Sequence, residues 1–78
     1  MAHRIAVLIF PDFQLLDAAG PVAAFEVASR YRDDHYALLT VAAQADLVRS
    51  SSGARWDADA LPPASQVDTL LIAGGDGV

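Results

Sequence analysis

The sequence predicts an α/β fold of the flavodoxin-like kind, a parallel sheet with flanking helices. Three observations predict it. Residues 4–10 (RIAVLIF) form an unbroken apolar run closed by Pro11, which suits a strand buried on both faces. A helical stretch and then a second apolar run (YALLTVAA) follow, and the order strand, helix, strand implies a right-handed crossover with parallel pairing. Finally, the apolar run DTLLIA leads straight into Gly74-Gly75-Asp76-Gly77, the way such a sheet commonly presents backbone to a ligand.

Taken in order, residues 4–10 are the first strand, and Asp12 is the expected N-cap of a helix. Leu15, Leu16, Ala19, Val22, Ala23 and Val27 fit one helical face. Gly20-Pro21 interrupts that stretch and predicts a kink or two short helices. Residues 30–35 form a charged turn. Residues 36–43 are the second strand, 47–49 a short strand, 50–53 a tight turn and 54–57 a short returning strand. Residues 58–66, with Pro62-Pro63, are irregular or a single helical turn, and 68–73 are a buried strand. Neither a repeat nor a linker interrupts this order. The sequence ends where a helix should begin to cover the last strand, so residues 1–78 are expected to be the N-terminal portion of one domain, incomplete at its C-terminus.

Composition narrows the function classes. A chain of 78 residues is shorter than the roughly 100–200 residues of a typical domain, and its core is correspondingly marginal. A hydrophobic fraction of 54% is enough to argue against disorder. The net charge is −5, and all five basic side chains are Arg. Arg30 and Arg32 are followed at once by Asp33 and Asp34, so no basic face is available for nucleic-acid phosphates. The absence of Cys rules out disulfides, thiolate metal sites and a Cys nucleophile within these residues. The apolar run at 5–10 is too short for a signal peptide or for a membrane span of about 20 residues. A cytoplasmic protein without membrane association is expected. On their own, these residues are expected to be poorly stable or to self-associate, because the last strand would leave an apolar face and edge uncovered.

Ligands of open parallel sheets bind beyond the carboxyl ends of the strands. Two features lie there: Asp17, and the Gly74-Gly75 turn. If the first and last strands are neighbours, both face one crevice. Gly74 and Gly75 can offer backbone N–H groups as an oxyanion hole or anion nest, or simply permit a tight turn. Asp17 lies among apolar residues and can serve as acid, base or hydrogen-bond partner; helical phase, which sets it opposite Leu15, favours a solvated surface Asp. His3 and His35 are single, so neither a metal site nor a cofactor is predicted. Ser50, Ser51 and Ser52 lack the G-x-S-x-G elbow and read as a turn. Trp56 reads as core or rim.

The segment RIAVLIFPDFQLLDAAGPVAAFEVASRY, with the later SSSG turn and DTLLIAGG, resembles the opening of PfpI/ThiJ-type domains of the class I glutamine amidotransferase-like superfamily. It is most similar to the branch that forms the sensor half of AraC-type transcriptional regulators. The matching features are the strand followed by FP, the FQLLDxxGP segment, Phe25, the serine turn and the final Gly-Gly. Two departures are evident. Asp12 stands where Gly is common, and Ala23-Ala24 stand where Glu-Val is frequent. The resemblance implies a homodimer, a small-molecule ligand and, in active members, a Cys at a nucleophile elbow after a later strand. Asp17 would then be the acid hydrogen-bonded near that Cys, with Gly75 and Gly74 as oxyanion N–H donors. In the regulator branch the Cys is often absent, and DNA is bound by a downstream helix-turn-helix region.

The expected function is therefore a fragment of a ligand-sensing domain, without catalysis or DNA binding by these residues themselves. The alternative is a fragment of an isonitrile hydratase-like enzyme that uses a downstream Cys. The GGDG turn alone also resembles the nucleotide loop of NAD kinases and diacylglycerol kinases, but Val78 stands where those continue with Thr. A fourth reading is an α/β fragment with no function of its own.

Overall fold

A computed structural model describes residues 3–30 and 36–75 of the chain. The elements are β1 (His3–Leu8), α1 (Leu15–Ser29), β2 (Tyr36–Ala42), β3 (Asp46–Arg49), β4 (Arg55–Ala60), a single 3-10 turn at Ala64–Gln66, and β5 (Thr69–Ile72). They build one five-stranded sheet in the order β3-β4-β2-β1-β5. β1 is parallel to both β2 and β5, as the apolar character of residues 4–10 requires of a central strand. β4 joins β2 in parallel through Val41↔Asp59 and Ala42↔Ala60 alone, and β3 turns back antiparallel on β4.

The register sorts side chains onto two faces. Ile5, Val7 and Ile9 of the first strand and its extension are almost fully buried. They lie level with Leu38 on one side and with Leu71 on the other. This face packs against Leu15, Ala18, Val22 and Phe25 of α1 and forms the core. Phe25 and Tyr36 meet with ring centroids 4.8 Å apart. The Ser29 hydroxyl donates to the Phe25 carbonyl (3.0 Å) and accepts the Tyr36 N–H (3.0 Å), tying the end of the helix to the start of β2. On the opposite face, Ala6 and Val41 are buried, while Leu70 (49%) and Ile72 (65%) stay exposed. The stretch from Leu61 to Val67 lies over Ala6 and Leu70 and leaves a hollow of about 350 Å³ between them.

Several expectations need correction. Asp12 is not the N-cap of α1: that position is Gln14, which makes no side-chain cap, because the chain first forms a turn and passes Phe13 through a bridge. Nor do Gly20-Pro21 split the helix, which runs unbroken from Leu15 to Ser29. Pro21 removes only the donor that would have met the Asp17 carbonyl. The buried helical face is Leu15, Ala18, Val22 and Phe25, whereas Leu16 and Val27 face outward. The helix is apolar all round, so spacing alone does not select the packed side. β4 extends to Ala60, with Trp56 and Ala58 turned inward and Asp57 and Asp59 outward, a period-2 alternation. Beyond Arg30, the charged turn expected at 30–35 lies outside the described residues, as do Asp76 and Gly77. No helix among the described residues is long and apolar enough to cross a membrane.

One ion pair fastens the start of β1 to the approach of β5. The Asp68 carboxylate accepts from the Arg4 backbone N–H (2.7 Å) and from its guanidinium (3.2 Å), while the Asp68 N–H donates to the Arg4 carbonyl (2.8 Å). Hydrogen bonds from Arg4 hold the Asp68 carboxyl down at about 2. A carboxylate whose folded pKa is depressed stabilises the fold above its unfolded pKa, and that contribution is lost as pH falls toward the folded value. Asp68→Asn is therefore expected to lower the melting temperature at neutral pH, with variant and parent converging between about pH 4 and pH 2. A difference that persists unchanged at pH 2 would refute the assignment. The 78 residues expressed alone are expected to elute as an oligomer in size-exclusion chromatography with light scattering. A monomer with a sharp cooperative melt counts against that.

Candidate functional site

The candidate site forms where β1 and β5 end side by side. Beyond Leu8, the Ile9 N–H still donates to the Val41 carbonyl (2.9 Å) and the Ala73 N–H to the Leu8 carbonyl (3.1 Å), so the ladders continue past the formal strand ends. The Phe13 N–H then donates to the Phe10 carbonyl (3.0 Å), closing a four-residue turn over Pro11 and Asp12. Asp12 has φ +66°. Proline second and a left-handed residue third is the pattern of a type II turn. It accounts physically for the departure noted at this position, since glycine adopts that conformation without a Cβ penalty.

Phe13 has no solvent exposure, and its ring centroid lies 6.1 Å from that of Trp56. Its backbone bridges Ser50 on one side and Gly75 on the other. The Gln14 N–H donates to the Gly74 carbonyl (2.7 Å). The Gly74 N–H in turn donates to Asp17 Oδ2 (2.9 Å) across 57 residues of sequence. Asp17 stands in the first turn of α1, where a carboxylate is favoured by the helix dipole.

The three site residues named from the sequence thus lie together at the ends of β1 and β5, with unequal parts. The Gly74 N–H is engaged by Asp17, and a Cβ at Gly74 would lie 2.7 Å from Asp17 Oδ2. Gly75 has φ +140°, and a Cβ there would meet the Asp12 carbonyl at 2.7 Å and the Gln14 nitrogen at 3.0 Å. No described residue accepts from the Gly75 N–H. Asp17 itself is exposed.

Other expectations resolve differently. His3 pairs through Nε2 with the Thr69 hydroxyl (2.7 Å) and sits edge-on to Tyr36; His35 lies outside the described residues. Ser50 is buried at 1% exposure, with its hydroxyl paired to that of Ser52 (2.9 Å). Trp56 packs at the margin of the core. The structural importance of Phe13 and Ser50 was missed. The signal for Phe13 was there: a large aromatic residue inside a loop has to find a core. The burial of Ser50 has no counterpart in local sequence. The hollow of about 350 Å³ lies on the opposite sheet face, lined by Ala6, Leu61, Pro62 and Val67 among others, and takes no part in this crevice.

Comparison with known proteins places the fold. No family model matches the chain. A protein of Streptomyces lividans, described only as an uncharacterized protein in the cpoL 5′ region, is 42% identical over 77 residues, covering 97% of this chain and 54% of its own length. The chain thus spans about half the length of that relative. The structure superposes on an AraC family transcriptional regulator from Pseudomonas putida with a TM-score of 0.83 at 21% identity, over 94% of this chain and 47% of that one. It also superposes on a two-domain protein from Anabaena variabilis with DJ-1/ThiJ/PfpI-like and ferritin-like domains, with a TM-score of 0.80 at 18% identity, over 96% of this chain and 21% of that one. These likenesses establish a flavodoxin-like α/β fold.

Opposite effects are expected at Asp12 and Gly75, the two positive-φ residues of this site. Asp12→Gly is expected to stabilise the protein by up to about 1 kcal/mol, the left-handed penalty less the added chain entropy of glycine. Gly75→Ala is expected to destabilise it by about 1–3 kcal/mol. Thermal or chemical denaturation checks both, and destabilisation by Asp12→Gly would contradict the turn assignment.

Proposed function

We propose that these residues form part of a PfpI-type ligand-sensing domain of an AraC-type transcriptional regulator, and that the crevice at the ends of β1 and β5 is where its ligand binds. The observation that carries this reading is the pairing, in one crevice, of a carboxylate acceptor at Asp17 with a backbone donor at Gly75, beside a Gly74 N–H that orients the carboxylate. Such a pair recognises a small polar molecule carrying both an acceptor and a donor. The chain contains no Cys, so these groups suit recognition; a covalent step would need a nucleophile from another part of the protein. The fold likeness to an AraC family regulator supports the assignment.

On this reading the native protein is a cytoplasmic homodimer, and DNA is bound by a helix-turn-helix region downstream of these residues. Asp17 and Gly75 bind and orient the ligand, and no cofactor is required.

The test uses the native protein that carries these residues. Its operator affinity is measured with and without a small-molecule library, for the parent and for Asp17→Ala. The expected result is ligand-dependent DNA binding whose ligand response weakens at least about tenfold in Asp17→Ala, as loss of one polar contact in a binding site predicts. Operator affinity without ligand should be unchanged. Hydration of an isonitrile by the native protein, with no DNA binding, would replace this reading with the enzyme alternative.

A further inference from the structure

The segment Asp12–Gln14 is bonded to two loops that are remote from each other in sequence. On one side the Gln14 N–H donates to the Gly74 carbonyl (2.7 Å). On the other, the Asp12 N–H donates to the Arg49 carbonyl (2.8 Å), and the Ser51 N–H donates to the Phe13 carbonyl (3.0 Å). Between them, Phe13 is anchored by complete burial. The partner loop is itself closed, by the Ser50 N–H on the Ala54 carbonyl (2.8 Å), the Gly53 N–H on the Ser50 carbonyl (3.0 Å) and the Ser50–Ser52 hydroxyl pair. The β3–β4 hairpin, by contrast, is joined weakly to the rest of the sheet, since β4 meets β2 only at its last two residues. The hairpin tip is therefore held to the body of the domain through Asp12–Gln14.

We propose that Asp12–Gln14 is a mechanical clasp that couples the Gly74-Gly75 turn to the β3–β4 hairpin, so that a displacement at the glycine turn is felt at residues 49–51. Three features make the coupling physical. The bonds are short and form a continuous path Gly74–Gln14–Phe13–Ser51. The segment is conformationally stiff, because Pro11 fixes one end and Asp12 holds a left-handed backbone that a side chain tolerates only under restraint. The glycine turn abuts it with no slack, as the 2.7–3.1 Å approaches of a Cβ at Gly75 to Asp12, Phe13 and Gln14 demonstrate. An occupant of the crevice that moves Gly75 must push on this segment. The coupling rests on these bonds and not on the identity of any ligand, so it stands or falls separately from the sensor reading.

Gln14→Pro is the cleanest probe. Gln14 has φ −77° and an extended ψ, which proline adopts readily, so the backbone conformation is kept while the donor to Gly74 is lost and the ring Cδ, in place of the N–H, pushes the Gly74 carbonyl away. Residue-resolved amide exchange is measured on the native protein and on this variant. Faster exchange is expected at Ser51 and Asp12, by about five- to tenfold, the change that one net hydrogen bond corresponds to. The Ile9 amide, bonded to Val41 in the central ladder, should be unchanged. Coupling is reciprocal, so Ser50→Ala, which removes the hydroxyl pair from the hairpin side, should speed exchange of the Gln14 amide, the donor to the Gly74 carbonyl; this second variant serves if the proline variant does not fold. Unchanged exchange at Ser51 and Asp12 in Gln14→Pro overturns the clasp, and so does a steady Gln14 amide in Ser50→Ala. Uniform acceleration that includes Ile9 also overturns it, because it would mean one cooperative unit with no dedicated path.

Discussion

The parallel pairing of β1 with β5 is the constraint on which the rest depends. It places Ile5 beside Thr69 and Leu8 beside Ile72, and the two chain segments must then leave the sheet at the same edge and level. Asp17 and Gly74 meet for that reason alone; nothing in their local sequence brings them together. The Arg4–Asp68 ion pair reinforces this register at one end, and the Gln14–Gly74 and Asp17–Gly74 bonds reinforce it at the other. A parallel pair fixed at both ends cannot slip by one residue without turning Val7 and Leu71 out of the core.

The two edges of the sheet are treated differently. β3 carries Asp46 and Arg49, and the Asp46 side chain accepts its neighbour's N–H at Leu47 (2.7 Å). Charge and a self-satisfied backbone blunt that edge against further pairing. β5 (TLLI) has no charged side chain, and its outward Leu70 and Ile72 are exposed. Site and uncovered surface therefore share one strand: the same β5 that delivers Gly74 and Gly75 to the crevice leaves its opposite face bare.

Much of this was legible in the sequence because it depends on local, strong signals. The unbroken apolar run at 5–10, the crossover helix and the strand ending in Gly-Gly fix a parallel sheet, and the neighbouring of first and last strands then follows as a condition that the structure meets. What was not legible depends on competition between similar options. α1 has apolar residues on every side, so the spacing selects a face with Leu16 and Val27, whereas the packed face holds Ala18 and Phe25. Asp12 has the right chemistry for an N-cap, but the turn needs a left-handed residue there and the helix begins later. Pro21 looked like a breaker, yet packing on β1 and β2 outweighs the loss of one hydrogen bond. The division of labour between Gly74 and Gly75 depends on which N–H the Asp17 carboxylate takes, a matter of tertiary geometry that no spacing rule conveys.

The central position of β1 also has a consequence in time. Its partner β5 lies 64 residues later in the chain (69 minus 5), so during synthesis the first strand is made long before one of its two neighbours exists. At roughly 5–20 residues per second on the ribosome, that interval is about 3–13 seconds. Over this span Ile5, Val7 and Ile9 must be sheltered by α1 and β2 alone, with one side of the strand unpaired. A topology in which an interior strand is translated long before one of its partners is open to capture by chaperones until that partner emerges, and the Gly-Gly turn is the final feature of these residues to form.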